Sequence, residues 1–311
     1  MSEKFYNYKP VIFKDNIDLF INLYVEKKLP QTLLFVGEKG IGKLSVAYHL
    51  VNYILSKDEE NEYCTFTNTI NTDNKSYNLI SNNIHPNLFL ISSKENKKNI
   101  DIEQIKNMKN FLNITSFNKK PKIVLIDGSE NLNLSSSNSL LKSLEENLNN
   151  VIFILVHDIK KKMLNTIKSR CIQFKFFLKN DDYEKKINEI LDNQFNHLSS
   201  DFKDKYLSPL FFMDLLEYCN NNNLQLNEIN LDNLLLNIFE KKNFVKNKFV
   251  LNNFFLLIQL FLHKKITKER NNNKYFDLLK YFTQRFDDVT KFNLDFEAYV
   301  LEFKYLIYNE K

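Results

Sequence analysis

TLLFVGEKGIGKLSVAYHLVNYIL, residues 32–55, decides the fold. The apolar run Thr32–Val36 reads as a buried strand, and Lys43–Leu55 has the spacing of a helix. Between them lies Gly37-Glu-Lys-Gly40-Ile-Gly42-Lys43. A phosphate loop needs glycines so that backbone N–H groups can turn inward on phosphate oxygens, with a lysine beyond and a helix N-terminus behind. The whole chain has four glycines, and three of them fall within positions 37–42. In a sequence that avoids glycine, such clustering marks backbone geometry that other residues do not supply. Gly37, Gly40, Gly42 and Lys43 are therefore the candidate nucleotide-binding residues.

Position 44 departs from the pattern. A magnesium-binding loop carries Ser or Thr directly after the lysine; here the residue is Leu44, which has no oxygen to offer a metal. Ser45 comes next, but one step along a helix turns a side chain by about 100°. A second metal and water-activating element is expected at the end of a later strand, as four apolar residues, Asp, then an acid. Ile123-Val-Leu-Ile-Asp127-Gly128-Ser129-Glu130 supplies Asp127 but places Gly128 at the acid position. No side chain there polarises an attacking water.

Outward from the loop, further apolar runs at Leu88–Ile91, Ile123–Ile126, Ile152–Val156 and Ile172–Phe177 alternate with amphipathic segments at Asp101–Ile114, Ser135–Glu146 and Lys160–Lys168. This alternation predicts an α/β fold with a parallel sheet covered on both faces. Ser56–Ile84 is polar, Asn-rich and aperiodic, which predicts a surface insertion or mobile loop. Beyond about residue 178 only helical spacing remains: Asp181–Asp192, Pro209–Asn220, Leu231–Lys242, Phe249–Lys265, Tyr275–Val289 and Phe292–Tyr308.

Composition sets the bounds. The 311 residues are 43% hydrophobic and 26% charged with a formal net charge of +5, a mild excess that permits contact with nucleic acid without demanding it. Cys64, Cys171 and Cys219 are isolated, with no CxxC pair, so no metal site is expected. MSEKFYNYKP at the N-terminus has no signal-peptide core, and no apolar stretch is expected to reach the ~20 residues of a membrane span. A cytoplasmic location follows as the expectation. Lysine clusters at Lys119-Lys120-Pro121-Lys122, Lys160–Lys162, Lys241-Lys242 and Lys264-Lys265 are candidate DNA-phosphate contacts, although a solvated surface is the favoured reading in so lysine-rich a chain. Phe254-Phe255, Phe261, Tyr275-Phe276 and Tyr281-Phe282 read as bundle core and oligomer contact.

Four further pieces carry a resemblance. Lys28-Leu-Pro-Gln-Thr-Leu-Leu-Phe35, His85-Pro-Asn-Leu88, Asn138-Ser-Leu-Leu-Lys-Ser-Leu-Glu-Glu146 and Leu164-Asn-Thr-Ile-Lys-Ser-Arg-Cys171 are similar, in order and spacing, to "LPHAxLF", "HPDL", "NALLKxLEE" and "LLPTIRSRC". Those are motifs of the delta-prime and gamma/tau subunits of the bacterial replicative clamp loader, within the AAA+ superfamily. The resemblance covers roughly residues 10–178. It implies a P-loop AAA+ domain at 1–178, a small helical lid at 179–222 and an all-helical oligomerisation collar at 223–311. The hydrolysing gamma/tau type keeps Ser or Thr after the loop lysine, an acid after the aspartate, a Thr after the sensor strand and a four-Cys zinc module. This chain has Leu44, Gly128, His157-Asp158 and a lone Cys64, and Tyr206-Leu-Ser-Pro-Leu-Phe-Phe212 lacks the lid arginine.

These departures resemble the delta-prime branch. That branch implies no catalysis by this chain alone, no required cofactor, and at most ATP or ADP held weakly without productive Mg. Ser169-Arg170-Cys171 matches the motif whose arginine reaches a neighbour's ATP, so Arg170 is the expected trans arginine finger. An arginine suits that task because its charge is permanent and its donors form a planar fork. The implied partners are clamp-loader gamma/tau and delta subunits in a pentamer, the sliding clamp, and primer-template DNA through the complex, with no membrane. Two alternatives stay open: an active gamma/tau-type ATPase in which Ser45 and Glu130 substitute, and a non-replicative scaffold of the same fold.

Overall fold

The computed structural model describes residues 12–308 except 94–98, 115–116, 147, 192, 204–206, 243 and 269–272. The N-terminal decapeptide and Tyr206 thus lie outside the described residues. The chain divides into two compact units, Met1–Asp182 and Tyr183–Lys311.

The first unit is built on five parallel strands: β1 (Thr32–Gly37), β2 (Leu88–Ile91), β3 (Lys122–Asp127), β4 (Val151–Asp158) and β5 (Ile172–Lys175), in the order β2-β3-β4-β1-β5. The inner strands are buried along almost their whole length, as a sheet covered on both faces requires, whereas edge strand β5 is largely exposed. All five predicted strands are present. The last is two residues shorter than the apolar run, because Phe176 leaves the ladder after donating its N–H to Val36 O at 2.7 Å.

Helix α1 (Lys14–Val25) has no counterpart among the sequence predictions. Its N-cap is Phe13, whose side chain makes no capping bond, so the usual Ser, Thr, Asp or Asn start signal is missing. Packing sets it instead: Phe20 stacks on Phe35 at 5.0 Å and meets Phe174 edge-on at 4.8 Å. Helix α2 (Lys43–Ser56) is buried almost all round.

The reason is the segment Ser56–Ile84, which is not a mobile loop. It carries α3 (Lys75–Ser81) and an isolated bridge between Cys64 and Thr69, and it buries Tyr63, Asn74, Ser76 and Ile80. Its polar residues are spent on hydrogen bonds. Tyr63 N–H donates to Ser56 Oγ at 3.0 Å, the Tyr63 hydroxyl lies 3.0 Å from His49 Nδ1, and Asn68 Nδ2 donates to Asp18 Oδ1 at 2.8 Å. Asn52 and Asn74 exchange amide bonds at 3.3 and 3.2 Å. Apolar periodicity cannot report an element held by side-chain amides and hydroxyls.

Helices α4 (Ile102–Asn113) and α5 (Leu134–Glu145) occur as predicted, the latter capped by Asn133, which accepts from Ser136 N–H at 2.8 Å. The predicted helix Lys160–Lys168 is reduced to the single turn α6 (Asn165–Lys168). Asp158 captures the residues before it, accepting Lys160 N–H on its side chain at 3.1 Å and Lys161 N–H on its carbonyl at 2.9 Å.

Helix α7 (Asn180–Ile190) precedes α8 (Pro209–Asn221), α9 (Leu231–Lys241), α10 (Lys248–Lys268), α11 (Lys274–Phe292) and α12 (Phe296–Tyr308). Phe292 ends α11 rather than opening α12, because Asn293 takes the left-handed conformation at φ 53° and stops the helix. Phe211 and Tyr218 of α8 pack against Phe249 of α10 at 6.1 and 4.9 Å, so residues on both sides of position 222 share one core. Helix α10 is long and apolar enough, by length and composition, to cross a membrane, at a mean hydropathy of 1.2, which corrects the expectation that no stretch reaches that length. Its apolar residues Phe254, Leu257, Ile258, Phe261 and Leu262 are buried inside the second unit. Of the aromatic positions read as core, Phe254, Phe261 and Phe282 are buried, whereas Phe276 and Tyr281 are exposed.

Candidate functional site

The carboxyl ends of β1, β3 and β4 converge, which is where open α/β sheets place ligands. Gly37 ends β1 against β5; a Cβ there would lie 2.5 Å from Phe176 O, so only glycine lets the strand exit so close to its neighbour. Gly40 and Gly42 take φ of 78° and 111°, and α2 starts directly behind them. Lys43 is buried, and its Nζ donates to Gly37 O at 2.7 Å and Glu38 O at 2.6 Å. Burial lowers its pKa to about 8, against the pull of Asp158, Glu130, Asp127 and Glu38. The structure thus brings together all four loop residues and Asp127, as the sequence grouped them.

The elements of hydrolysis are another matter. Leu44 is buried at the position of the magnesium-binding hydroxyl, and Ser45 Oγ is buried without a hydrogen-bond partner among the described residues. Gly128 sits at φ 73°, and a Cβ there would meet Asn131 Nδ2 at 2.8 Å, so the backbone itself is shaped against a carboxylate side chain at this position. Glu130 is committed elsewhere. It accepts Asp158 N–H at 3.0 Å and lies 3.5 Å from His157 Nδ1, while Ser129 Oγ donates to Val156 O at 2.9 Å. Burial would raise the Glu130 pKa, but the neighbouring His157 ring and the Asp158 N–H outweigh it and hold it low. Residues 129–130 therefore tie the exit of β3 to the exit of β4. Among the described residues no group of three His, Cys, Asp or Glu side chains is arranged to hold a metal ion.

Asp127 is the strained member of the site. Burial, reinforced by the Glu130 carboxylate and opposed by Lys43, pushes its pKa up to about 6. The folded state then holds a proton between about pH 4 and 6 that the unfolded chain has released. Asp127 consequently contributes stability below pH 4 that is lost as the pH rises through 6. Asp127→Asn is expected to stabilise the protein at pH 7.5 by on the order of 2 kcal/mol. Urea unfolding at a series of pH values checks this: the gain should shrink toward zero below pH 4.

Arg170 stands apart from this cluster. Its carbonyl accepts from Thr32 Oγ1 at 2.6 Å, which fixes it beside the start of β1. Gly37 is five steps along the strand from Thr32, about 16 Å, so Arg170 lies toward the opposite end of the sheet from its own phosphate loop. The guanidinium is part-exposed. Nη1 donates to Thr166 O at 2.9 Å and Nη2 pairs with Glu145. Cys171 is buried, and burial pushes its thiol up to about 11, in keeping with a packing residue.

Several lysines read as candidate DNA contacts have structural work instead. Lys120 Nζ donates to Leu55 O and Lys57 O at the end of α2, at 2.7 and 2.6 Å. Buried Lys122 donates to the carbonyls of Phe111, Leu112 and Ile114 at the end of α4. Lys264 bridges Asp201 and Asp232 at 2.6 and 3.0 Å. Lys120 and Lys122 satisfy carbonyls at helix ends, and Lys264 joins two part-buried carboxylates. Sequence reading missed these roles because the partners, 8 to 65 residues away, lie outside any helical or strand repeat.

A glycine-rich loop between β1 and α2, an aspartate ending β3, a five-stranded parallel sheet and a helical C-terminal unit define a P-loop α/β protein of the AAA+ class. The family described as "DNA polymerase III, delta subunit" matches residues 13–180. The chain belongs to that family, as a clamp-loader delta-prime-type protein. It is 30% identical over 141 residues to the DNA polymerase III subunit delta' of Pseudomonas aeruginosa, covering 45% of this chain and 41% of that one. It is 27% identical over 271 residues to the subunit delta' of Buchnera aphidicola, covering 83% and 73%. A gamma/tau subunit from Mycoplasma pneumoniae is 25% identical over 201 residues, covering 62% and 28%. The chain thus spans less than half the length of the Pseudomonas relative.

Proposed function

We propose that the chain is the non-hydrolysing delta-prime subunit of a DNA polymerase III clamp loader, which helps to load the sliding clamp onto primed DNA in the cytoplasm. It lends Arg170 to ATP bound on an adjacent gamma/tau subunit. The observation that carries this reading is the contrast within one unit. The hydrolytic positions are filled by buried Leu44 and left-handed Gly128, while a part-exposed guanidinium stands toward the far end of the sheet from its own loop.

The loop residues fit a polyphosphate. Gly40 and Gly42 can present N–H groups, and Lys43 can turn from the loop carbonyls to phosphate oxygens, so ATP or ADP would be held by this set. A magnesium ion does not fit the residues present, because Leu44 offers no oxygen. The partners in this reading are gamma/tau and delta subunits in a pentameric arc, with primer-template DNA reached through the complex. Residues 179–222 act as lid and 223–311 as the collar that joins the arc.

The purified chain is expected to show no ATP turnover, and Mg²⁺ is expected not to tighten its binding of ATP. Both are measured directly, by phosphate release and by titration calorimetry with and without the metal. Turnover at a loader's rate, or tight Mg-dependent binding, would return the chain to the hydrolysing type.

A further inference from the structure

The ion pair between Arg170 and Glu145 joins the ends of two distant sequence segments, one from α5 and one following α6. We infer that Glu145 is a releasable latch on the arginine finger: it neutralises Arg170 in cis and competes with the neighbour's ATP phosphates for the same guanidinium. The inference rests on the reading of Arg170 as a trans finger.

The geometry favours a latch over a fixed strut. The side chains of Arg170 and Glu145 are 34% and 51% exposed, so water and an incoming phosphate reach both. Exposed ion pairs are weak, with pairing constants of roughly 2–5-fold, so a phosphate bearing several charges displaces a single carboxylate. The second anchor survives that exchange. The Nη1 bond to Thr166 O is made to the finger's own helical turn, and the Arg170 backbone is fixed by Thr32. Releasing Glu145 frees one edge of the guanidinium fork without unseating the residue. Glu145 is thus a positioning residue, and it keeps an exposed arginine from pairing with stray anions before assembly.

The test uses the loader assembled with its gamma/tau and delta subunits, primed DNA and varied ATP. Glu145→Gln is expected to lower the ATP concentration for half-maximal hydrolysis by about threefold and to leave kcat unchanged. Raising the salt should shrink the difference from wild type, because salt weakens the latch that only the wild type has. Glu145→Ala should behave alike, and neither change should matter when Arg170 is already Ala. No shift in half-saturation, or a fall in kcat, in loaders where Arg170→Ala is itself defective would overturn the latch. If Arg170→Ala were silent, the finger reading would fall first.

Discussion

Arg170→Ala is expected to slow ATP hydrolysis at the adjoining site of a reconstituted loader by about a thousandfold, while the variant chain folds and assembles normally. The size follows from where charge develops. Phosphoryl transfer spreads negative charge over oxygens that the hydrolysing subunit does not fully neutralise, and a fork of donors on a permanent cation meets two of them at once. The stability cost is small, because the side chain's partners are one exposed carboxylate and a carbonyl of its own helical turn. An exposed pair of this kind is worth at most about 1 kcal/mol. Arg170→Lys should recover little, since an ammonium is a point charge without the fork. Single-turnover hydrolysis by the assembled complex, with DNA and clamp present, is the measurement. A loader in which every site keeps its wild-type rate would remove Arg170 from the mechanism.

Phe303→Ala should be the most destabilising single change in the helical unit, at about 3–5 kcal/mol. Phe303 of α12 is fully buried. Its ring centroid lies 5.1 Å from Phe282 of α11, 5.9 Å from both Phe254 and Phe261 of α10, and 6.5 Å from Phe239 of α9. One side chain closes the last helix onto three others, and truncation leaves a void lined by rigid rings that do not collapse into it. Since domains are stable by about 5–15 kcal/mol, the loss is a large fraction of the total. Urea unfolding followed by near-ultraviolet absorbance of the aromatic cluster would report it, and Phe303→Leu should cost well under half as much. An unchanged midpoint for the alanine variant would mean that α12 does not close this core.

The sheet was legible because it is written locally. Buried strands need unbroken apolar runs, and the loop needs glycines that a glycine-poor chain spends nowhere else except at Gly128. For the same reason Leu44 and Gly128 could be read as losses without a structure, and the structure adds why Gly128 does not simply await an acid. Helix α1 was invisible because its start has no cap and its place is set by Phe35 and Phe174, distant in sequence. Ser56–Ile84 misled because its order comes from amide and hydroxyl pairs, to which apolar periodicity is blind.

Residue types along the chain were enough to determine that a glycine-rich turn joins a buried strand to a helix, that Leu44 follows its lysine and Gly128 follows Asp127, and that helices follow the sheet. Tertiary structure alone decided which charges have partners. It made Glu130 a tie between two strand ends, and it gave Lys120, Lys122 and Lys264, for which a solvated surface was the favoured reading, the roles of caps and bridges. It also set Arg170 toward the far end of the sheet with Glu145 as its companion. The physical reason is range. Backbone conformation and apolar patterning are fixed by neighbours a few residues away, whereas the partner of a charge is fixed by whatever the fold brings within a few ångströms, however distant in the chain.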